Sequence, residues 1–269
     1  MAALLDAVGG VLARYLSRPN PRYTPLATSP RERLAAVLEP CDVLLVEGNT
    51  RFSTAIKYLT QSTWSHAALY LGVGPFAGRF AGEHVLIEAD VIEGVQLVPL
   101  GVYAEMQTRV CRAVGLAPEH REAIIHAALA RLGHRYDLKN VVDLVRYLLP
   151  TPPVPSRWRR RMLALGSGEP TRAICSTFIA QLFQGVRYPI LPRIERRQWG
   201  DPDCNTCYEE ILHIRHHSLF APRDFDISPY FAVVKPTLQP SFDYRRLAWG
   251  EAAGEVSLQP RPAPLGGSS

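Results

Sequence analysis

Residues 173–183 read Ala-Ile-Cys-Ser-Thr-Phe-Ile-Ala-Gln-Leu-Phe, and this stretch decides the fold that we expect. Phe178 and Leu182 recur at helical spacing, which predicts an amphipathic helix with Cys175 in its first turn. The partial positive charge of a helix N-terminus favours the thiolate form of such a cysteine. The alternative is a buried structural cysteine, which is the common state of a lone cysteine in an apolar helix.

The composition is that of an ordinary globular protein. Hydrophobic residues make up 47% of the chain and charged residues 20%, which excludes the disordered and fibrous classes. A length of 269 residues suits one large domain or two small ones. The net charge of +5 permits anionic partners, but it is accompanied neither by a zinc-finger spacing in the context of a DNA-reading helix nor by an RNA-binding motif. We therefore expect no nucleic-acid partner.

The cysteine count and the absence of long apolar runs bear on location. Five cysteines are an odd number, and in a chain of this length they fit a reducing compartment better than a disulfide framework. No apolar run approaches the length of a membrane span. Asp6 interrupts the apolar N-terminal stretch, which argues against a secretory signal. The sequence predicts a cytoplasmic protein.

Three segments follow from composition and periodicity. Residues 1–30 predict an amphipathic helix and a linker, residues 31–240 a single domain with an inserted loop at 150–172, and residues 241–269 a mostly disordered tail. The N-terminal helix either docks on the core or contacts a membrane surface. The inserted loop holds a basic run from Arg157 to Arg161, which suits a solvated loop, a lid or an anionic docking surface.

The first half of the domain reads mainly as strands and the second half mainly as helices. The predicted strands are residues 42–47, 66–73, 84–90, 95–100 and 109–114, and the predicted helices are residues 31–38, 119–132, 138–149 and one that Thr50 caps. His66 opens the second strand. Glu88 interrupts the apolar run of the third strand, where a carboxylate is costly unless it is paired or hydrogen-bonded.

A second cluster of candidate ligands lies near the C-terminal end of the domain. It contains the following thiols and imidazoles: Cys204, Cys207, His213, His216 and His217. The cysteine spacing suits zinc, but there is only one such pair and the interval to the histidines is short. We favour a surface turn followed by an apolar helix through Tyr208, Ile211 and Leu212, and an extended arm with a final strand after it.

Several short motifs occur in an order that is characteristic of one group of enzymes. They are Asp42-Val43-Leu44, Trp64-Ser65-His66-Ala67-Ala68-Leu69-Tyr70, Ile87-Glu88-Ala89, Gly133-His134-Arg135-Tyr136-Asp137 and Cys175-Ser176-Thr177. This order resembles the circularly permuted papain-like amidases, NlpC-type cysteine hydrolases of the YiiX-like branch, over about residues 39–187. The resemblance implies an α+β fold in which an antiparallel sheet or partial barrel packs against the nucleophile-bearing helix.

The resemblance also implies catalytic roles. Cys175 becomes the nucleophile, His66 its base, Glu88 the group that orients the imidazole, and Tyr136 a residue near the oxyanion. The chemistry agrees, because an imidazolium keeps a thiol ionised and then gives its proton to the leaving group. A carboxylate on the far ring nitrogen fixes the tautomer.

Residues beside the predicted triad are the candidates for substrate binding, namely Trp64, Ser65 and Ser176. The chain also departs from the pattern of the family. Thr177 stands where the family often has glutamate, so whatever that glutamate does is missing.

The function predicted from these residues is cysteine-dependent hydrolysis or transfer of an acyl group through a thioester intermediate. The substrate is a small-molecule, peptide or lipid acyl compound with an amide or ester bond, and no cofactor or metal is expected. Two alternatives stay open. One is a lipid acyltransferase, and the other is a catalytically silent module that holds a lipid or peptide in the same cleft.

Overall fold

The computed structural model describes residues 18, 29–90, 93–134, 174–198, 208–213, 216 and 220–236. The predictions for the N-terminal helix, the helix at 138–149, the inserted loop and the tail lie outside these residues. In the part of the chain that is described, no helix combines the length and the apolar character needed to cross a membrane.

The described chain contains five α-helices, eight strands and a 3₁₀ helix. In chain order they are α1 (Arg31–Val37), β1 (Val43–Val46), α2 (Arg51–Thr60), β2 (His66–Val73), β3 (His84–Asp90), β4 (Gly94–Pro99), the 3₁₀ helix (Leu100–Tyr103), β5 (Thr108–Ala113), α3 (Pro118–Leu129), α4 (Ile174–Gly185), β6 (Arg193–Gln198), β7 (Tyr208–His213), α5 (Pro222–Asp226) and β8 (Phe231–Val234). The predicted strands of the first half are confirmed to within one residue at each end.

Six strands form one open antiparallel sheet. Their order is β4-β3-β2-β1-β5-β8, while β6 and β7 form a separate antiparallel pair. Because consecutive strands are mostly neighbours, short connections suffice to build this sheet. The predicted α+β class is confirmed, and the sheet is open rather than closed into a barrel.

Both faces of the sheet are buried, and the sequences of its central strands are therefore continuously apolar. Residues of one parity, such as Val43 and Leu69, pack with Phe178 and Phe183 of α4. Residues of the other parity, such as Leu44, pack with α1 and the 3₁₀ helix. The helix α4 contacts β2, β3 and α3. The predicted packing of the nucleophile helix on an antiparallel sheet is confirmed.

The loop between β1 and α2 is held by a hydrogen bond near each of its ends. Thr50 Oγ1 accepts a hydrogen bond from the backbone N–H of Ser53 at 3.0 Å, so Thr50 caps α2 as predicted. The backbone N–H of Gly48 donates to Ser65 Oγ at 2.9 Å. Since Ser65 directly precedes β2, this bond joins the loop to the point where β2 begins.

The prediction of a helix through Tyr208, Ile211 and Leu212 is wrong, because these residues form strand β7. The backbone of β7 pairs with that of β6 along its whole length, with Arg196 opposite Glu210. The short sequence Tyr-Glu-Glu-Ile-Leu-His satisfies helical spacing over only one turn, so its pairing partner decides the outcome.

The predicted C-terminal arm contains a short helix, α5, before its strand. β8 then pairs with β5, with Val234 opposite Val110. Asp226, at the end of α5, accepts hydrogen bonds from Arg109 at 2.6 and 2.8 Å and from Trp64 Nε1 at 3.0 Å. Arg109 also lies over the Trp64 ring, 5.0 Å from its centroid. These contacts attach the C-terminal segment to the sheet.

Candidate active site

The three predicted catalytic side chains meet where β2 begins. His66 is the first residue of β2, Glu88 lies in the neighbouring strand β3, and Cys175 is the second residue of α4. Because α4 packs against β2 and β3, its N-terminal turn reaches the end of the sheet at which His66 stands. Residues from distant parts of the chain therefore converge on one site.

Glu88 is held by three hydrogen bonds. Its Oε2 atom lies 2.6 Å from His66 Nε2 and also accepts a hydrogen bond from the Tyr103 hydroxyl. Its Oε1 atom accepts from Gln96 Nε2 at 2.9 Å. Gln96 is the register partner of Glu88 across the β3–β4 hairpin, so the two side chains share one face of the sheet. The carboxylate is buried, and both of its oxygens accept hydrogen bonds.

These contacts explain the ionisation of Glu88. Burial by itself raises the pKa of a carboxyl group, but the charge of His66 and the hydrogen bonds from His66, Tyr103 and Gln96 lower the pKa of Glu88 to about 2. Glu88 is therefore a carboxylate near neutral pH, and its hydrogen bond to His66 holds the imidazole in a fixed orientation.

His66 and Cys175 favour each other's charged forms. Burial by itself lowers the pKa of His66, yet the negative charges of Cys175 and Glu88 and hydrogen bonds to both raise it well above its ordinary value. Because Nε2 is bonded to Glu88, Nδ1 is the ring nitrogen left to face the sulfur. This is the arrangement of a thiolate–imidazolium pair.

The sulfur of Cys175 has further partners. Burial by itself raises the pKa of this thiol, but the charge and hydrogen bond of His66 lower it below its ordinary value, helped by the backbone N–H of Ala67 and by Ser176. Ser176 Oγ lies 3.9 Å from Cys175 Sγ. Two other cysteines behave as buried structural cysteines do. Burial raises the pKa of both Cys41 and Cys111 to about 12, in contrast to the lowered pKa of Cys175.

An open pocket of about 270 Å³ adjoins the three side chains. Its lining consists of Val46, Gly48, Asn49, Thr50, Phe52, Ser53, Ser65, His66, Glu88, Ala89, Asp90, Val102, Tyr103, Met106 and Cys175. A carbonyl group that enters this pocket can therefore approach the sulfur directly. The site combines a thiol with a lowered pKa, an imidazole beside it and an adjoining pocket.

Of the predicted substrate-binding residues, one lines the pocket and two do not. Ser65 lines the pocket, and its Oγ accepts the hydrogen bond from Gly48. Ser176 is fully buried and is not among the lining residues. Trp64 is 4% exposed, lies outside the lining and bonds to Asp226. Tyr136 lies outside the described residues.

Two residues of the site escaped the sequence-based prediction, Tyr103 and Gln96. The register of the β3–β4 hairpin, with Asp90 opposite Gly94, brings Glu88 opposite Gln96, and a count outward from the turn finds this pair. Tyr103 stands in a 3₁₀ helix with no periodic pattern around it, and nothing in the sequence singles it out.

Comparison with known proteins agrees with the predicted resemblance. Residues 37–147 match the model of a family described as permuted papain-like amidase enzyme, YaeF/YiiX, C92 family. This range contains His66 and Glu88 and ends before Cys175. The match confirms the similarity to permuted papain-like amidases that the motif order predicts, and it indicates a cysteine-type hydrolase.

One solved structure similar to the chain is described as the metalloprotein yiiX from Escherichia coli O157:H7. It is 16% identical, with a TM-score of 0.43, and the alignment covers 79% of this chain and 98% of that one. No curated protein matches the chain.

Proposed function

We propose, from the similarity of residues 37–147 to the permuted papain-like amidases, that this chain is a cysteine hydrolase that cleaves an amide bond through a thioester. The observation that supports this most directly is the bonded series Tyr103–Glu88–His66, with Cys175 on the remaining side of the imidazole. A binding module that performs no chemistry has no need of an ionised thiol in its cleft.

In the acylation step, the Cys175 thiolate attacks the carbonyl carbon and a C–S bond forms. The His66 imidazolium gives its proton to the amide nitrogen, the C–N bond breaks, and the amine leaves. In the deacylation step, neutral His66 takes a proton from water, and the resulting hydroxide adds to the thioester carbon. The C–S bond then breaks, which releases the acid and restores the thiolate–imidazolium pair.

The oxyanion of each step needs hydrogen-bond donors. The first N–H groups of a helix have no acceptor within the helix, and the backbone N–H of Cys175 is one of them, since the residue is second in α4. We assign this N–H to the oxyanion. Glu88 takes no proton in the cycle and keeps the imidazole in position.

The lining of the pocket favours a small acyl amide over a long lipid chain. Pockets for drug-sized ligands measure about 300–1,000 Å³. The pocket of about 270 Å³ beside Cys175 is smaller, open and partly lined by polar side chains such as Asn49, Thr50 and Ser53. Acyl transfer to an acceptor other than water uses the same thioester and is the second candidate.

The test of the mechanism is alkylation of the thiol. We expect iodoacetamide to label Cys175 near neutral pH at least tenfold faster than a free cysteine, whose pKa is about 8.5. His66→Ala should remove most of this advantage, because the imidazolium that stabilises the thiolate is lost. Cys41 and Cys111 serve as internal controls, since both are buried and their pKa values are raised.

Mass spectrometry of the chain with an activated acyl ester completes this test. The wild type should gain one acyl group on Cys175, and Cys175→Ser should gain none. Turnover that persists in Cys175→Ser, or an alkylation rate that His66→Ala leaves unchanged, would contradict the covalent mechanism.

A further inference from the structure

Two segments supply most of the pocket beside Cys175. The first runs from Val46 to Ser53, from the end of β1 into α2, and the second runs from Val102 to Met106. The hydroxyl groups of the first segment are already hydrogen-bonded within the chain, because Thr50 Oγ1 lies 2.9 Å from Ser53 Oγ. These two hydroxyl groups therefore already have a hydrogen-bond partner before a substrate enters.

Three apolar residues of the lining are open to solvent, whereas Val46 and Ala89 are buried. Val102 is 51% exposed although it borders the pocket, and Phe52 and Met106 are partly exposed beside it. Apolar surface that stays exposed at the mouth of a concave site gains free energy when an apolar group covers it. We call the surface formed by Phe52, Val102 and Met106 the apolar subsite.

The charges in the lining restrict what can bind there. Among the described residues that line the pocket there is no lysine or arginine. The carboxylates are those of Glu88 and Asp90, and His66 is engaged with Glu88. A substrate with a carboxylate at this position would lose hydration without gaining a basic partner.

The volume of the pocket limits the size of the group that can be buried in it. Because a water molecule occupies about 30 Å³ in the liquid, the pocket of about 270 Å³ holds about nine groups of that size. Part of this space must take the scissile carbonyl beside Cys175. The carbonyl carbon, its oxygen and the neighbouring nitrogen take about three of these positions, which leaves room for about six carbons. A longer chain extends from the open pocket into solvent and buries no further apolar surface.

We propose that the substrate of Cys175 carries a short, uncharged, apolar group beside its scissile carbonyl, and that the apolar subsite of Phe52, Val102 and Met106 binds it. This inference rests on the proposed function, since it specifies the substrate of the same nucleophile. It predicts a preference among reagents that differ only in the length of one alkyl chain.

The experiment treats the full chain with a series of N-alkyl iodoacetamides, with methyl, ethyl, propyl, butyl, hexyl and dodecyl chains. The rate of labelling of Cys175 is measured by mass spectrometry. We expect the rate to rise by about two- to fourfold per methylene, as burial of CH₂ groups predicts, and to stop rising at about hexyl. A reagent of butyl length with a terminal carboxylate should react more slowly than the butyl reagent.

Near-isosteric polar variants test the subsite itself. In the double variant Val102→Thr with Met106→Gln, the ratio of the butyl rate to the iodoacetamide rate should fall at least threefold. Val114 is the matched control, because it is a valine with 59% exposure that does not line the pocket. Val114→Thr should leave the ratio unchanged.

Each result separates this proposal from the one on which it rests. Rapid labelling by iodoacetamide with no effect of alkyl length overturns the apolar subsite and leaves the nucleophile in place. A rate that keeps rising to dodecyl overturns the limit of size. Labelling of Cys175 no faster than that of a free cysteine overturns both proposals.

Discussion

Glu88 lies 2.6 Å from His66 Nε2, and its charge is one of the two, with that of Cys175, that raise the pKa of His66. His66 and Tyr103 bond to the same oxygen, Oε2, while Gln96 bonds to Oε1. A carboxylate with this many donors in a buried site strongly prefers its charged form. Its protonation should therefore be visible in the stability of the whole protein.

The prediction concerns acid unfolding of Glu88→Gln. The pKa of Glu88 falls from an ordinary 4.5 to about 2 on folding, so the unfolded state binds the proton more readily. The stabilisation is complete above pH 4.5 and is lost as the pH falls towards 2. It amounts to roughly 3 kcal/mol, at 1.36 kcal/mol per pKa unit.

Urea unfolding between pH 4.5 and about 2 measures this effect. The free energy of unfolding should fall less steeply with acid in Glu88→Gln than in the wild type. Glu93→Gln, which removes an exposed carboxylate from the turn after β3, is the matched control and should keep the wild-type slope. Equal slopes in all three proteins would show that Glu88 does not bear this charge.

At the same scale, sequence reasoning identified three side chains that the structure brings together, and it missed two others that hydrogen-bond to Glu88. Cys175, His66 and Glu88 stand in motifs whose order is informative without coordinates. Tyr103 reaches Glu88 only because the 3₁₀ helix after β4 folds back over the sheet. The sequence has no period that reports such a turn.

Among the elements, the loop between β1 and α2 positions one wall of the pocket. Gly48 has no room for a side chain, since an added Cβ would lie 2.2 Å from Ser53 Oγ and 3.1 Å from Ser65 Oγ. Ser53 is bound to the helix cap, Thr50, and Ser65 precedes the base. The glycine therefore allows three parts of the site to approach one another.

We expect Gly48→Ala to lower the free energy of unfolding by about 1–3 kcal/mol, as overpacking of a tight site does, and to slow alkylation of Cys175. Chemical denaturation and labelling rates measure the two effects. Gly185→Ala is the control, because nothing lies within 4 Å of its added Cβ. Ser53→Ala in the Gly48→Ala background should restore part of the loss, and no recovery would mean that the clash lies elsewhere.

A helix or strand can be predicted from the sequence where it carries a long apolar pattern of its own. The runs 66–73 and 84–90 are apolar enough to identify buried strands, and the structure gives β2 and β3 these same bounds. The sequence predicts a helix where the structure has β7, because a segment of six residues carries too weak a periodicity to distinguish the two. Pairing between distant segments decides such cases, and it cannot be read locally.

At the scale of the molecule, Asp226 connects the C-terminal segment to the sheet that bears the site. It accepts hydrogen bonds from Arg109 on β5 and from Trp64 before β2. The Trp64 ring is almost completely buried, so its N–H needs an acceptor within the protein. Loss of Asp226 should therefore reduce stability without touching the pocket.

We expect Asp226→Ala to lower the free energy of unfolding by about 2–3 kcal/mol, because a buried donor and a charged partner lose their acceptor. Since Asp226 does not line the pocket, labelling of Cys175 in the folded variant should match the wild type. A double-mutant cycle with Trp64→Phe isolates the indole bond. Strictly additive losses in that cycle would assign the stabilisation to Arg109 alone.

The order of the catalytic segments has a consequence for the chain as the ribosome makes it. The strand that bears His66 is synthesised first, and the helix that bears Cys175 comes more than a hundred residues later. While Cys175 is unfolded, its sulfur has no imidazolium beside it and reacts as an ordinary thiol. The proposed activation of Cys175 therefore requires its helix to dock on β2 and β3, which are made earlier, and the nascent chain lacks an activated thiol until that docking has taken place.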